Sequence, residues 1–204
     1  MKVLAIIFWS AVGYVIGSIP WGLVIGKVFF KKDIREYGSG NLGGTNAWRT
    51  LGMIPGIAVI VLDALKSLMT MVIVNLFSKD AVIFAGLAAC VGHCYPCFAE
   101  FKGGKAVATA FGYFLGIGIF VTKDVIFSFI YPLLVFIIVL SLFKMVSLAS
   151  MSGALCETII AFLTYNSKLH AVCVLLVTGL IIYRHIPNIL RIIKGKESKV
   201  SFIV

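Results

Sequence analysis

Long apolar runs recur along the chain, separated by short polar segments. A helix that crosses a bilayer needs roughly 20 mostly apolar residues. Seven stretches approach that length, at about 3 to 29, 51 to 77, 81 to 98, 106 to 121, 125 to 143, 147 to 165 and 169 to 184. The pattern predicts an all-α integral membrane protein with about seven transmembrane helices. Almost nothing is left over for a soluble module, so residues 1–204 are expected to form one polytopic domain. Stretches 106 to 121 and 147 to 165 are marginal in length, open to tilting, re-entry or burial within protein. The first stretch opens with Lys2 as a signal peptide does, but its apolar run is too long for one and lacks a small-x-small cleavage site. It is read as a retained helix.

Composition points the same way, with 61% hydrophobic and 13% charged residues, more apolar side chain than a soluble domain of this size can bury. Charge then orients the chain, because short cytoplasmic loops retain cations. With the N-terminus outside and the C-terminus cytoplasmic, thirteen Lys and Arg fall on the cytoplasmic side, four on the other, and Lys66 within the second stretch. The formal charge of +10 sits in short loops without a basic stripe interleaved with aromatics. Nucleic acid is therefore excluded as a partner, and membrane lipid and phosphorylated compounds are favoured.

Two glycine-rich polar segments stand on that cytoplasmic side. The first is Ser39-Gly-Asn-Leu-Gly-Gly-Thr-Asn-Ala-Trp-Arg49 and the second His93-Cys-Tyr-Pro-Cys-Phe-Ala-Glu-Phe-Lys-Gly-Gly-Lys105. Glycine opens backbone amides to a ligand and fixed cations complement phosphate. Ser39, Gly40, Asn41, Thr45, Asn46 and Arg49 are candidates in the first segment, helped by a helix dipole if the second span begins near Asn46. His93, Gly103, Gly104 and Lys105 are candidates in the second. Lys102 fits a snorkelling role. Neither segment has P-loop spacing. His93, Cys94 and Cys97 lack a second ligand pair, so no metal is expected.

Three further features fall inside or beside spans. Asp63 and Lys66 share one helix face and can neutralise each other, in a structural or a catalytic role. Glu157 is either protonated in the bundle or paired across helices. Pro187 should end or kink the last span and turn His185 and Asn188 to the interface.

Ser39-Gly-Asn-x-Gly-x-Thr-Asn-x-x-Arg49, Gly92-His-x-x-Pro-x4-Phe-x-Gly-Gly-Lys105, and His185-x-x-Asn188 with Arg191 and Gly195-x-Glu197 together resemble the three motifs of the bacterial membrane acyl-phosphate:glycerol-3-phosphate acyltransferases, the PlsY family. The resemblance covers essentially the whole chain. It implies transfer of a fatty acyl group from acyl phosphate to the 1-hydroxyl of glycerol 3-phosphate, giving lysophosphatidic acid and inorganic phosphate, the first acylation of phospholipid biosynthesis. No cofactor is implied. A monomer in the inner (plasma) membrane, with its site facing the cytoplasm, is expected. Carried over, Ser39, Arg49, Lys105, His185, Asn188 and Ser147 are the catalytic candidates and Glu197 is structural. A substrate phosphate is the expected base, with His185 as its rival.

Leu42, Gly44, Ala106 and Pro187 depart from the family pattern, which usually has proline, alanine and a third glycine at the first three. A phosphate transporter is the alternative of another class, but it would show inverted repeats and broken midplane helices. A thioester-dependent acyltransferase lacks its His-x4-Asp signature here, and a CDP-alcohol phosphotransferase lacks its aspartate cluster.

Overall fold

Each of the seven apolar stretches is largely helical in the structure, a computed structural model that describes residues 2–200. The extreme ends of the expected 1–204 domain lie outside the described residues. Contacts divide the chain into two compact units, Met1–Gly116 and Ile117–Val204.

The first unit contains α1 (Lys2–Gly17), α2 (Trp21–Phe30), a 3-10 turn (Ile34–Glu36), α3 (Gly44–Leu51), α4 (Met53–Phe77), α5 (Val82–Cys94) and α6 (Val107–Gly116). Pro20 has no amide proton to continue the ladder, and there α1 gives way to α2. α1 and α5 pack backbone to backbone along small residues. A Cβ at Gly13 would meet the Ala85 carbonyl oxygen at 2.3 Å, and one at Gly17 that of Ala89 at 2.2 Å. Where lipid surrounds helices as apolar as itself, such close approach supplies the van der Waals attraction that holds them together. Gly112 of α6 comes equally close to Ala64 of α4.

The second unit contains two π-helical turns (Ile117–Val121 and Ile126–Ile130), α7 (Tyr131–Phe143), α8 (Val146–Thr164), α9 (Lys168–Arg184) and α10 (Ile186–Ile193). α8 and α9 are joined by hydroxyls: Thr178 Oγ1 donates to the Ala154 carbonyl at 3.0 Å, and Thr158 Oγ1 donates to Thr178 Oγ1 at 2.8 Å. Glu157 is fully buried and accepts the phenolic proton of Tyr165, the residue that caps the end of its own helix. Ser128 Oγ lies 3.2 Å from that phenol. The partner of Glu157 is thus a hydroxyl from the end of α8, and among the described residues no cation pairs with it.

Among the described residues, five helices are long and apolar enough to cross a bilayer: Lys2–Phe30, Met53–Phe77, Lys79–Ala99, Ile126–Phe143 and Val146–Thr164. The stretch expected at 147 to 165 is therefore not marginal. Val107–Val121 is the short one, and the last stretch is a helix pair bent by 58° between Lys168–Arg184 and Ile186–Ile193. That bend falls where expected. His185 leaves helical geometry (φ −99°, ψ 1°) and Pro187 occupies the first turn of α10, where a missing amide proton costs nothing. The second span begins at Met53, close to the expected 51 to 77; it does not reach back to Asn46, because Gly52 (φ 105°, ψ 176°) adopts a conformation open only to glycine and sets α3 apart as its own short helix. Side chains such as Leu4, Phe8, Leu76, Leu142 and Leu163 are exposed, an outer surface suited to hydrocarbon and not to water.

Candidate active site

The first glycine segment is organised from within by Asn46. This side chain, 2% exposed, donates from Nδ2 to the carbonyls of Ile34 (2.9 Å) and Tyr37 (3.2 Å) and accepts at Oδ1 from the Ser39 amide (2.8 Å). Gly38 (φ 60°) and Gly40 (φ 67°) turn the chain through left-handed conformations around it. Asn46, expected as a ligand, is therefore enclosed by the loop it shapes, with its amide spent on main-chain groups. Asn41 closes a smaller turn by accepting the Gly43 amide at 2.9 Å.

Enclosing Asn46 brings other groups outward. Ser39, Gly40, Thr45 and Arg49 are exposed. α3 starts at Gly44 with Gly43 as N-cap and no side-chain oxygen on its first amides, so the positive end of its dipole is available to an anion. Thr45 and Arg49 are four apart, on one face of α3. The neighbouring cations are committed elsewhere. Lys27 (3.2 Å) and Arg35 (2.7 Å) both pair with Asp33. Hydrogen bonds from Arg35 outweigh burial there and hold the Asp33 carboxyl well below the usual carboxylate range. Arg49 has no ion-pair partner among the described residues.

The second segment folds back on its own beginning. The Gly103 amide donates to Cys94 O at 3.1 Å and the Gly104 amide to His93 O at 3.0 Å, while Tyr14 Oη of α1 donates to Tyr95 O at 2.8 Å. Both glycines are demanded by space. A Cβ at Gly103 would lie 2.1 Å from His93 O, and one at Gly104 would lie 2.1 Å from His93 Nε2. Lys105 leaves this turn half-buried. Ala106 follows with φ 58°, a left-handed conformation that glycine adopts more readily than alanine. His93 is itself buried, with Nδ1 2.8 Å from Lys66 Nζ and 3.4 Å from Asp63 Oδ1.

In the second unit the candidates converge on Glu197. Its Oε1 accepts from Ser147 Oγ (2.7 Å) and Asn188 Nδ2 (2.6 Å), and its Oε2 from Arg191 Nε (2.7 Å). Burial pushes the Glu197 carboxyl up, but the three hydrogen bonds and the Arg191 charge prevail and hold it below its usual value. The tail that carries Glu197 is strapped down by the Val200 amide, which donates to Lys144 O at 2.8 Å. His185, 2% exposed, has Nδ1 2.8 Å from the Ile181 carbonyl. A carbonyl only accepts, so Nδ1 carries the proton and Nε2 of the neutral ring is the acceptor.

Each unit thus gathers its own share of the expected residues: Ser39, Arg49 and Lys105 in the first, Ser147, His185 and Asn188 in the second. Sequence reading left three things out: the Asp33 cluster, the contact of Lys66 with His93, and the central place of Glu197. An acidic residue just before a short helical turn is a capping signal that would have found Asp33. The other two depend on which helices are neighbours, which periodicity does not give.

Residues 7–195 match the family model described as glycerol-3-phosphate acyltransferase. A relative of that name from Enterococcus faecalis is 42% identical over 212 residues, covering 97% of this chain and 93% of its own. Another, from Listeria monocytogenes, is 43% identical over 202 residues, covering 97% and 98%. The solved glycerol 3-phosphate form of PlsY (YgiH), an integral membrane glycerol 3-phosphate acyltransferase, superposes with a TM-score of 0.86 at 34% identity over 96% of both chains. The lysophosphatidic acid form of the same enzyme gives 0.84 at 34% identity, over 96% of this chain and 95% of that one. This chain, with its apolar helices and its three polar motifs, belongs to the glycerol-3-phosphate acyltransferase family, the PlsY family of bacterial membrane enzymes.

Proposed function

We propose that the protein transfers a fatty acyl group from acyl phosphate to the 1-hydroxyl of glycerol 3-phosphate, releasing lysophosphatidic acid and inorganic phosphate. The observation that carries this reading is the uncapped start of α3 with the exposed Arg49 one turn above Thr45, an arrangement built for a phosphate dianion. Both substrates bear phosphate, so the α3 amides, Ser39, Arg49 and Lys105 hold these groups and offset charge that builds on the acyl oxygen.

The hydroxyl oxygen attacks the acyl carbon, the bond from that carbon to the phosphate oxygen breaks, and phosphate departs with the bonding pair. An acyl phosphate is already activated, so no covalent enzyme intermediate is needed. The hydroxyl proton passes to a phosphate oxygen of a substrate. In the second unit Asn188 and Ser147 hold Glu197, and His185 keeps Nε2 as an acceptor; the family resemblance makes these three the catalytic candidates there. Asn46 and His93 hold the loops that carry the binding groups. The chain works as one domain and one monomer, crossing the plasma membrane seven times with its N-terminus outside. Its site and C-terminus then face the cytoplasm, the side with thirteen cations against four.

The test is phosphate release by the purified protein in lipid, given palmitoyl phosphate with and without glycerol 3-phosphate, and palmitoyl coenzyme A as the comparison donor. Release that requires glycerol 3-phosphate, yields lysophosphatidic acid and fails with the thioester is expected. Equal or better turnover with the thioester would overturn the donor assignment. A separate variant addresses the base: His185→Asn retaining most of the maximal rate is expected if phosphate takes the proton.

A further inference from the structure

Asp63 and Lys66 lie in the middle of α4 with side chains 2% exposed, and the chemistry above gives them no task. Mutual neutralisation would account for the pair, but the Lys66 ammonium reaches further. Its Nζ lies 3.0 Å from Asp63 Oδ1, 2.8 Å from His93 Nδ1 and 3.0 Å from the Ile19 carbonyl oxygen. The Asp63 contact is an ion pair more than a directed hydrogen bond. An ammonium has three protons and no lone pair, so at 2.8 Å His93 must present Nδ1 as a lone pair. The neutral ring then carries its proton on Nε2, the nitrogen against which Gly104 packs without room for a Cβ. Main-chain bonds from Gly103 and Gly104 return to Cys94 and His93. A series of contacts therefore runs from the buried cation, through the imidazole, to the two glycines that precede Lys105.

The geometry points to Lys66 as a positioning residue for the second glycine segment: it fixes the His93 ring, and the ring sets the course of Gly103-Gly104 and with it the place of Lys105. Asp63 is the counter-charge that keeps the ammonium buried. This rests on the proposed function, with the Lys105 segment taken, as the family resemblance implies, to hold the phosphate of glycerol 3-phosphate, and it assigns a role to span residues that the proposed reaction leaves idle.

Lys66→Met alone strands a buried carboxylate and is expected to lose folded protein. The paired variant Asp63→Asn/Lys66→Met removes both charges and is expected to fold in lipid. Losing a hydrogen bond from a charged donor should weaken its glycerol 3-phosphate binding, measured by calorimetry without acyl donor, about tenfold. KM for glycerol 3-phosphate should rise by a similar factor, with kcat and the KM for acyl phosphate within about threefold. His93→Gln should cost about tenfold in wild type but under about threefold in the paired variant, because both changes act through one ring. A folded paired variant that binds glycerol 3-phosphate as wild type does, or in which His93→Gln keeps its full cost, would overturn the positioning role. Wild-type protein that binds no glycerol 3-phosphate would instead remove the phosphate reading beneath it, and the inference with it; calorimetry separates that result from a loss confined to the variants.

Discussion

His93 and His185 are buried to similar degrees, 7% and 2% exposed, yet they present opposite ring nitrogens to their surroundings. In the first unit Nδ1 meets an ammonium and must accept. In the second, Nδ1 meets a helix carbonyl one turn back and must donate. The difference teaches that the proton on a buried imidazole is placed by its neighbour, and that one residue type can serve as scaffold in one motif and as acceptor in another. The two regions are also secured differently. The first hangs from an ion pair in the middle of a span, out of reach of salt and solvent, whereas the second hangs from Glu197 at an aqueous edge, beside Arg191, whose side chain is 46% exposed.

That contrast can be broken most forcefully at Asp63. Asp63→Ala leaves Lys66 buried without a counter-charge and is expected to cost about 3–5 kcal/mol, seen as a large fall in melting temperature in detergent. Glu197→Gln keeps an amide oxygen that can still accept from Ser147 and Asn188 and loses only the charge facing Arg191, and about 1–3 kcal/mol is expected. Equal losses at the two sites would erase the distinction between a span-buried and an edge anchor.

Acid sharpens the same comparison. The folded-state Glu197 carboxyl titrates below its ordinary value of 4.5, so its contribution is complete above that pH and declines as pH falls through the lower folded value. The stability gap between wild type and Glu197→Gln should hold steady from pH 7 to about 4.5 and shrink below it. A gap that widens on acidification would reverse the assigned sign. The smallest effect belongs to the second glycine segment: Ala106→Gly relieves a left-handed alanine and should raise stability by up to about 1 kcal/mol, measured by thermal unfolding.

Helix positions were largely legible, because an unbroken apolar run has few other solutions in lipid. The bend after His185 could be read from Pro187. The separation of α3 from α4 could also have been read, from Gly52 as a stop signal, but apolar neighbours on both sides concealed it. Asn46 looked like a ligand because its amide stands among glycines, and only the backbone course of residues 34–39 shows that three main-chain groups consume it. Lys66 and His93 were each conspicuous alone. Their contact requires α4 and α5 to be neighbours, a fact that lives in packing along Gly and Ala surfaces and not in hydrophobic period.

The chain contains three histidines, few enough for each ring to be followed by nitrogen magnetic resonance in lipid-embedded, histidine-labelled protein. The measurement that tests the account most directly is the protonation of each ring nitrogen in His93 and His185 at neutral pH, with signals assigned from single glutamine variants. The structure predicts a proton on Nε2 and a bare, accepting Nδ1 for His93, and the reverse for His185. Two rings in the same tautomer, or a His93 protonated at Nδ1, would contradict it.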